Sequence, residues 1–165
     1  MTANIKFAKV KPNAKIPNKR IEDAAMDIYA CFDEDWICIP PLSSKLIPTG
    51  IASAFDAKWA IVFRERGSTG VKNMKVNAGV IDSGFRGEYF VSIYNGNEVP
   101  LYITKYMDGE QSPEPEDAIL YHYSKAIAQA LVVEVPEVQV EELDYETLKQ
   151  IPSERGSGMI GSSGK

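Results

Sequence analysis

Asp82 is the residue of this chain whose type and setting best suit proton transfer. It follows the run Asn77-Ala78-Gly79-Val80-Ile81 and precedes Ser83-Gly84-Phe85-Arg86-Gly87-Glu88. A carboxylate at the end of a strand and the start of a loop can orient a water and take its proton. Backbone amides and carbonyls of Asn77, Gly79, Val80 and Ile81 can read a planar base by hydrogen bonding, and the ring of Phe85 can stack on a sugar or base. A second cluster, Arg64-Glu65-Arg66-Gly67-Ser68-Thr69-Gly70, sets arginine beside small residues. Such a loop lets backbone N–H groups approach phosphate oxygens.

These groups need strands to hold them. Asn77 to Ile81 reads as one arm of a β-hairpin, Ser83-Gly84 as its turn, and residues 88–95 as the returning strand. Tyr89, Val91 and Ile93 alternate onto one face of that strand, with Phe90, Ser92 and Tyr94 on the other. Ile5, Phe7 and Val10 begin another alternating strand. Trp36-Ile37-Cys38-Ile39 is a short strand stopped by Pro40-Pro41. Residues 45–52 read as strand, turn, strand about Pro48-Thr49-Gly50, and Trp59 to Phe63 is a further apolar strand. Helix signals are sparse, so the expected architecture is all-β. The acidic, Pro-rich stretch from Tyr106 to Asp117 reads as the heart of a surface insertion spanning about residues 104–123.

At 165 residues the chain is long enough for one domain with a real core. A formal net charge of −5 argues against a general nucleic-acid binder, which needs a basic surface. An acidic protein still holds a triphosphate if its few basic groups converge and Mg²⁺ adds charge. No apolar run is long enough to span a membrane and no signal-peptide pattern is present, so the expected location is cytoplasmic, away from membranes. Cys31 and Cys38 lack zinc-like spacing and read as reduced core thiols.

The run around Asp82 resembles the third sequence motif of the homotrimeric dUTP diphosphatases (dUTPases), roughly Ala-Gly-x-Ile-Asp-x-x-Tyr-Arg-Gly-Glu, running on to an Asn. Other motifs of that family are found in order. Asp23-Ala24-Ala25-Met26-Asp27-Ile28-Tyr29-Ala30 resembles the first, whose Asp corresponds to Asp27. The Arg66-Gly67-Ser68 loop resembles the second, an Arg-Ser dipeptide, with glycine where serine is usual. Arg66 and Ser68 are the expected phosphate ligands, and Arg64 remains an alternative for the arginine. Ala126-Ile127-Ala128-Gln129-Ala130-Leu131 resembles the fourth, commonly Gly-Asp-Arg-Ile-Ala-Gln-Leu. Its Ile-Ala-Gln centre is kept, with Gln129 as phosphate contact, but Ser124-Lys125-Ala126 replaces Gly-Asp-Arg. The tail from Arg155 to Gly164 resembles the fifth, Arg-Gly-x-x-Gly-Phe-Gly-Ser-Thr-Gly, with Ile160 at the aromatic lid position.

The resemblance implies a distorted jelly-roll of residues 1–150 followed by a C-terminal motif arm, 151–165, in a homotrimer with shared active sites. It implies hydrolysis of dUTP to dUMP and pyrophosphate, which limits uracil in DNA and supplies dUMP for dTMP synthesis. Asp82 would activate the attacking water. Mg²⁺ would be held mainly by triphosphate and waters, with Asp27 contacting it through water. Arg66, Gly67, Ser68, Gln129 and Arg155 would hold phosphate, and Gly161, Ser162 and Ser163 would close over it. Phe85, standing where the family has tyrosine, would stack beneath deoxyribose. Ile160, or an aromatic such as Phe90 or a tyrosine of the insertion, would cover the uracil. A phage or prophage-type member fits the insertion, which could seat a protein partner. Two alternatives are a nucleotide-gated regulatory binding module on the same fold and a dCTP deaminase relative. The latter places Glu where this chain has Ser92, and serine cannot shuttle the proton.

Overall fold

Alternating branched and aromatic residues build most of this computed structural model, which describes residues 2–106, 115–154 and 156. In chain order the described elements are β1 (Lys6–Lys9), β2 (Met26–Tyr29), β3 (Trp36–Ile39), β4 (Ser43–Pro48), β5 (Ile51–Ala54), β6 (Trp59–Arg64), α1 (Gly67–Gly70), β7 (Met74–Asn77), β8 (Val80–Ile81), β9 (Phe90–Asn95), β10 (Leu101–Thr104), β11 (Ile119–His122), β12 (Ala126–Glu134) and α2 (Tyr145–Gln150). The expected all-β character holds. The strands form sheets in the orders β1-β5, β11-β10-β3, β2-β12-β6-β8 and β4-β9-β7. Among these pairs only β10 and β11 run parallel. Ile39, Ile47, Ile61, Val91, Ile93, Leu101, Ile103 and Ile127 are wholly buried in one core, each stabilising the fold by roughly 1.5–3 kcal/mol.

The expected hairpin is only half right. β7 and β9 do pair, ending with Asn77 opposite Ser92. Beyond that point the arms part, because β8 joins β6 in another sheet, with Ile81 opposite Ile61 and Val80 opposite Val62. The crossover is made at Ala78, which takes the left-handed conformation (φ 50°), and at Gly79. A Cβ on Gly79 would lie 2.7 Å from the carbonyl oxygen of Phe63, and the Phe63 N–H donates to the Gly79 carbonyl at 2.7 Å. Glycine is needed there because two backbones touch. The alternation within β9 is as expected: Tyr89, Val91 and Ile93 are buried, and Phe90 is exposed.

The turn at Pro48-Thr49-Gly50 fixes the base of the loop that carries Asp82. The buried Thr49 donates to the Tyr89 carbonyl from both its N–H and its hydroxyl, at 3.1 and 2.6 Å. The Gly50 N–H donates to Glu88 Oε1 at 2.8 Å. The strands flanking this turn do not pair with each other: β4 lies against β9 and β5 against β1.

The segment expected as a surface insertion, about 104–123, is not all surface. Thr104 and Tyr121 are buried, and β11 pairs in register with β10. The Tyr121 hydroxyl donates to the Ala126 carbonyl at 2.6 Å, so this end of the segment is core. Both cysteines are free thiols, Cys31 buried and Cys38 half-buried.

The chain divides into two units, Met1–Val135 and Pro136–Lys165. Val135 still donates its N–H to the Lys58 carbonyl at 2.7 Å, whereas Pro136 has no N–H with which to extend the ladder. In the second unit Asp144 caps α2 by accepting from the Thr147 N–H at 3.0 Å, and no residue of the helix is buried. No helix among the described residues is long and apolar enough to cross a membrane.

Candidate functional site

The expected site residues among those described fall into two groups, one by the β2 edge and one by the β8 edge of the sheet β2-β12-β6-β8. At one end a polar cavity of about 580 Å³ is lined by Asn18, Lys19, Arg20, Asp23, Ala24, Ala25, Asp27, Arg66, Gly67, Ser68 and Gln129. Strand register explains how distant positions meet there. Asp27 on β2 lies opposite Gln129 on β12, and Gln129 lies opposite Arg64 on β6. Residues directly opposite share a face.

Arg66 forks onto Asp27, with Nε 2.8 Å from Oδ1 and NH2 donating to Oδ2 at 3.3 Å. Its NH1 donates to Ser68 Oγ at 3.3 Å. Of the two arginines left open by the sequence, Arg66 lines the cavity with Ser68, and Arg64 does not. The loop is held by the buried Thr69, whose hydroxyl accepts the Arg66 N–H at 2.9 Å and donates to the Arg66 carbonyl at 3.0 Å. Gln129 donates through Nε2 to the Glu65 carbonyl at 2.6 Å, leaving its second N–H for a ligand. Glu65 Oε1 accepts the Val76 N–H at 2.8 Å, which holds its carboxyl below its ordinary range against the opposing pull of desolvation. Glu65 and Thr69 were not among the expected residues. They act on the loop's shape, which sequence motifs record poorly.

At the other end, β8 is an edge strand of its sheet, so the backbone edge turned away from β6 is open to a planar ligand. The Gly79 carbonyl is already taken by Phe63, and the Asn77 side chain donates to Ser44 Oγ at 3.2 Å. Asp82 begins a turn closed by the Phe85 N–H donating to the Asp82 carbonyl oxygen at 3.1 Å. The residue is exposed. Phe85 lies nearly parallel to Tyr89, with centroids 6.0 Å apart and planes 15° apart. Its ring covers Gly87, where a Cβ would come within 2.7 Å of Cζ. The ring is thus held against its own loop while remaining about 44% exposed. Phe90, considered as a cover for a base, is on the exposed face of β9.

Register gives the distance between the two groups. Asp82 continues β8 past the Ile81–Ile61 pair, while Asp27 shares the row of Arg64. Three strand spacings across and four residues along separate them, on the order of 20 Å. Asp82 does not line the cavity. Arg155, Ile160, Gly161, Ser162 and Ser163 lie outside the described residues.

Among the described residues no cluster of three or more His, Cys, Asp or Glu could cage a metal ion. Two carboxylates, Asp23 and Asp27, line the polar cavity, which fits a hydrated Mg²⁺ bound with a triphosphate, an ion that needs only one or two protein carboxylates.

The dUTPase family model matches residues 12–107. A deoxyuridine 5'-triphosphate nucleotidohydrolase of Clostridioides difficile is 30% identical over 166 residues, covering 98% of each chain. One of Gloeothece citriformis is 29% identical, covering 97% of this chain and 96% of its own. Among solved structures, the dUTPase of Staphylococcus bacteriophage 80alpha with dUPNHPP superposes with a TM-score of 0.76 at 19% identity, over 99% of this chain and 100% of its own. A dUTPase of phage phi11 of S. aureus, described with a coordinated structural Mg(II) ion, gives 0.65 at 19% identity, over 87% and 99%.

Proposed function

The chain belongs to the dUTPase family, with its jelly-roll fold and its hydrolysis of dUTP to dUMP and pyrophosphate, and from this we propose a division of labour among its residues. Asp82 is the general base that takes a proton from the water attacking the α-phosphorus. The open edge of Asn77–Ile81 reads uracil, and Phe85 packs under the deoxyribose. Arg66, Ser68 and Gln129 hold the phosphate chain, and Arg66 offsets charge building on the leaving pyrophosphate. Mg²⁺, when bound to the triphosphate, supplies further charge neutralisation there. Asp27 would hold that ion through water and, through its fork to Arg66, keeps the guanidinium at the cavity wall. Arg155 and the residues from Ile160 to Ser163 are further nucleotide contacts.

The observation that carries this reading is the separation of Asp82 from the Asp27–Arg66 cavity, on the order of 20 Å along one sheet. One protomer therefore presents two half-sites. A homotrimer, in which one chain's Asp82 loop meets another chain's cavity, makes them whole. The test is complementation. Purified protein with dUTP and Mg²⁺ should release pyrophosphate. Asp82→Asn and Arg66→Gln chains should each be nearly inactive, and mixing them under subunit exchange should restore activity. Full activity from a monomer in solution would refute shared sites, and ammonia release from dCTP would point to deamination instead.

A further inference from the structure

We propose that Arg20, with Lys19 beside it, is a second cationic clamp on the polyphosphate, gripping its terminal end across the cavity from Arg66. This rests on the reading of the cavity as the phosphate end of the dUTP site. Both residues line that cavity, and they come from the loop between β1 and β2, outside the motifs that carry the family resemblance.

The cavity is walled by two arginine–aspartate forks. Arg66 is paired with Asp27. Arg20 is paired with Asp23, donating from Nε to Oδ2 and from NH2 to Oδ1, each at 3.0 Å. The Arg20 N–H also donates to Asp23 Oδ2 at 3.0 Å, and the Asp23 N–H to the Arg20 carbonyl at 3.2 Å. The turn is therefore locked at both backbone and side chain, which orients the guanidinium before any ligand arrives. Its NH1 donors are not used by Asp23, and the side chain is 87% accessible. Lys19 Nζ donates to the Asp23 carbonyl at 2.7 Å and the Arg20 carbonyl at 3.3 Å, so an ammonium sits beside the guanidinium. The Asp27 N–H donates to the Asn18 carbonyl at 3.4 Å, tying the loop to the strand that carries the other fork.

Charge gives the reason for a second clamp. Arg66 is already matched charge for charge by Asp27, and the fourth-motif arginine is absent. Ala126 occupies that position, in register with Tyr29, and the neighbouring Lys125 does not line the cavity. Counting lysines and arginines against aspartates, the lining holds Lys19, Arg20 and Arg66 against Asp23 and Asp27, a balance of +1. Without the loop pair, the lining would have no net positive charge for a polyanion. A planar fork with a free edge suits a terminal phosphate, which offers several oxygens.

The test compares wild type with Arg20→Gln, Arg20→Lys and Lys45→Gln, the last removing a surface charge outside the cavity. Steady-state dUTP hydrolysis and equilibrium binding of dUMP are measured for each. The expected result for Arg20→Gln is a KM for dUTP raised about five- to tenfold, the yield of one exposed charge-assisted contact. Its kcat should be little changed and its dUMP affinity unaltered. Arg20→Lys should recover part of the loss, and Lys45→Gln should match wild type. A wild-type KM for Arg20→Gln, or equal weakening of dUMP and dUTP, overturns the clamp while leaving dUTP hydrolysis standing. A wild-type protein that leaves dUTP intact overturns both readings.

Discussion

Arg66 and Asp27, 39 positions apart in the chain, form a two-pronged ion pair at the wall of the cavity. The pair is about one-third accessible on each side, so it is neither a screened surface contact nor a sealed core pair. Removing Asp27 would leave the Arg66 guanidinium with only its contact to Ser68 Oγ, and removing Arg66 would leave Asp27 uncompensated in a polar cleft.

Asp27→Asn keeps the shape and removes the charge. The Mg²⁺ concentration giving half-maximal dUTP hydrolysis should rise about tenfold, in line with the loss of an outer-sphere carboxylate. A Mg²⁺ titration of initial rates reads this directly, and an unchanged midpoint would detach Asp27 from the metal.

Asp82→Asn should lower kcat by about 10²–10⁴-fold, the usual loss for a positioned general base. Because the residue is exposed at a loop, the thermal midpoint and the dissociation constant of a non-hydrolysable dUTP analogue should barely move. Single-turnover kinetics with calorimetry separates the two effects. Near-normal turnover would remove Asp82 from the chemistry.

Gly79→Ala should destabilise the protein by about 1–3 kcal/mol, since its Cβ would press on the Phe63 backbone and the strand pair must shift. Gly84→Ala is the control: a Cβ there meets nothing within 4 Å, and its effect should stay within about 0.5 kcal/mol. Urea unfolding midpoints for the two variants test the contrast.

Glu65 should make the loop before α1 sensitive to acid. Its carboxyl is held below the ordinary value of 4.5 by the Val76 N–H. A lowered folded value means that its stabilisation is fully present above pH 4.5, and is lost as pH falls from there through the folded value. Glu65→Gln should therefore melt below wild type at pH 7, with the gap narrowing as pH drops below about 4.5. A gap that stays constant with pH would show that the charge contributes nothing.

Much of this was legible in the residues. Alternation fixed β9's buried and exposed faces, and Pro40-Pro41 marked the end of β3. The run about Asp82 and the Ile-Ala-Gln centre at Gln129 pointed to dUTP chemistry, which the family relationship bears out. The parting of β7 and β8 was not legible, because β8 joins β6, an earlier strand that the local pattern of residues 74–81 does not name. Tyr121 was hidden for a related reason: an acidic, Pro-rich neighbourhood suggests surface, and only pairing with β10 makes it core. Arg20 and Asp23 left a faint signal, an opposite-charge pair at a spacing of three in a loop. That spacing does not reveal the cavity they face.

The place of β12 has a consequence for synthesis. It is the last strand of the β unit to be made, yet it lies between β2 and β6 and brings Gln129 to Asp27. A nascent chain can complete every earlier strand and still lack the polar cavity. Until residues 126–134 leave the ribosome, β2 and β6 each keep an unpaired edge where β12 will lie, the kind of surface that chaperones bind and that aggregation exploits. Premature termination before β12 should therefore yield chains that are both inactive and sticky.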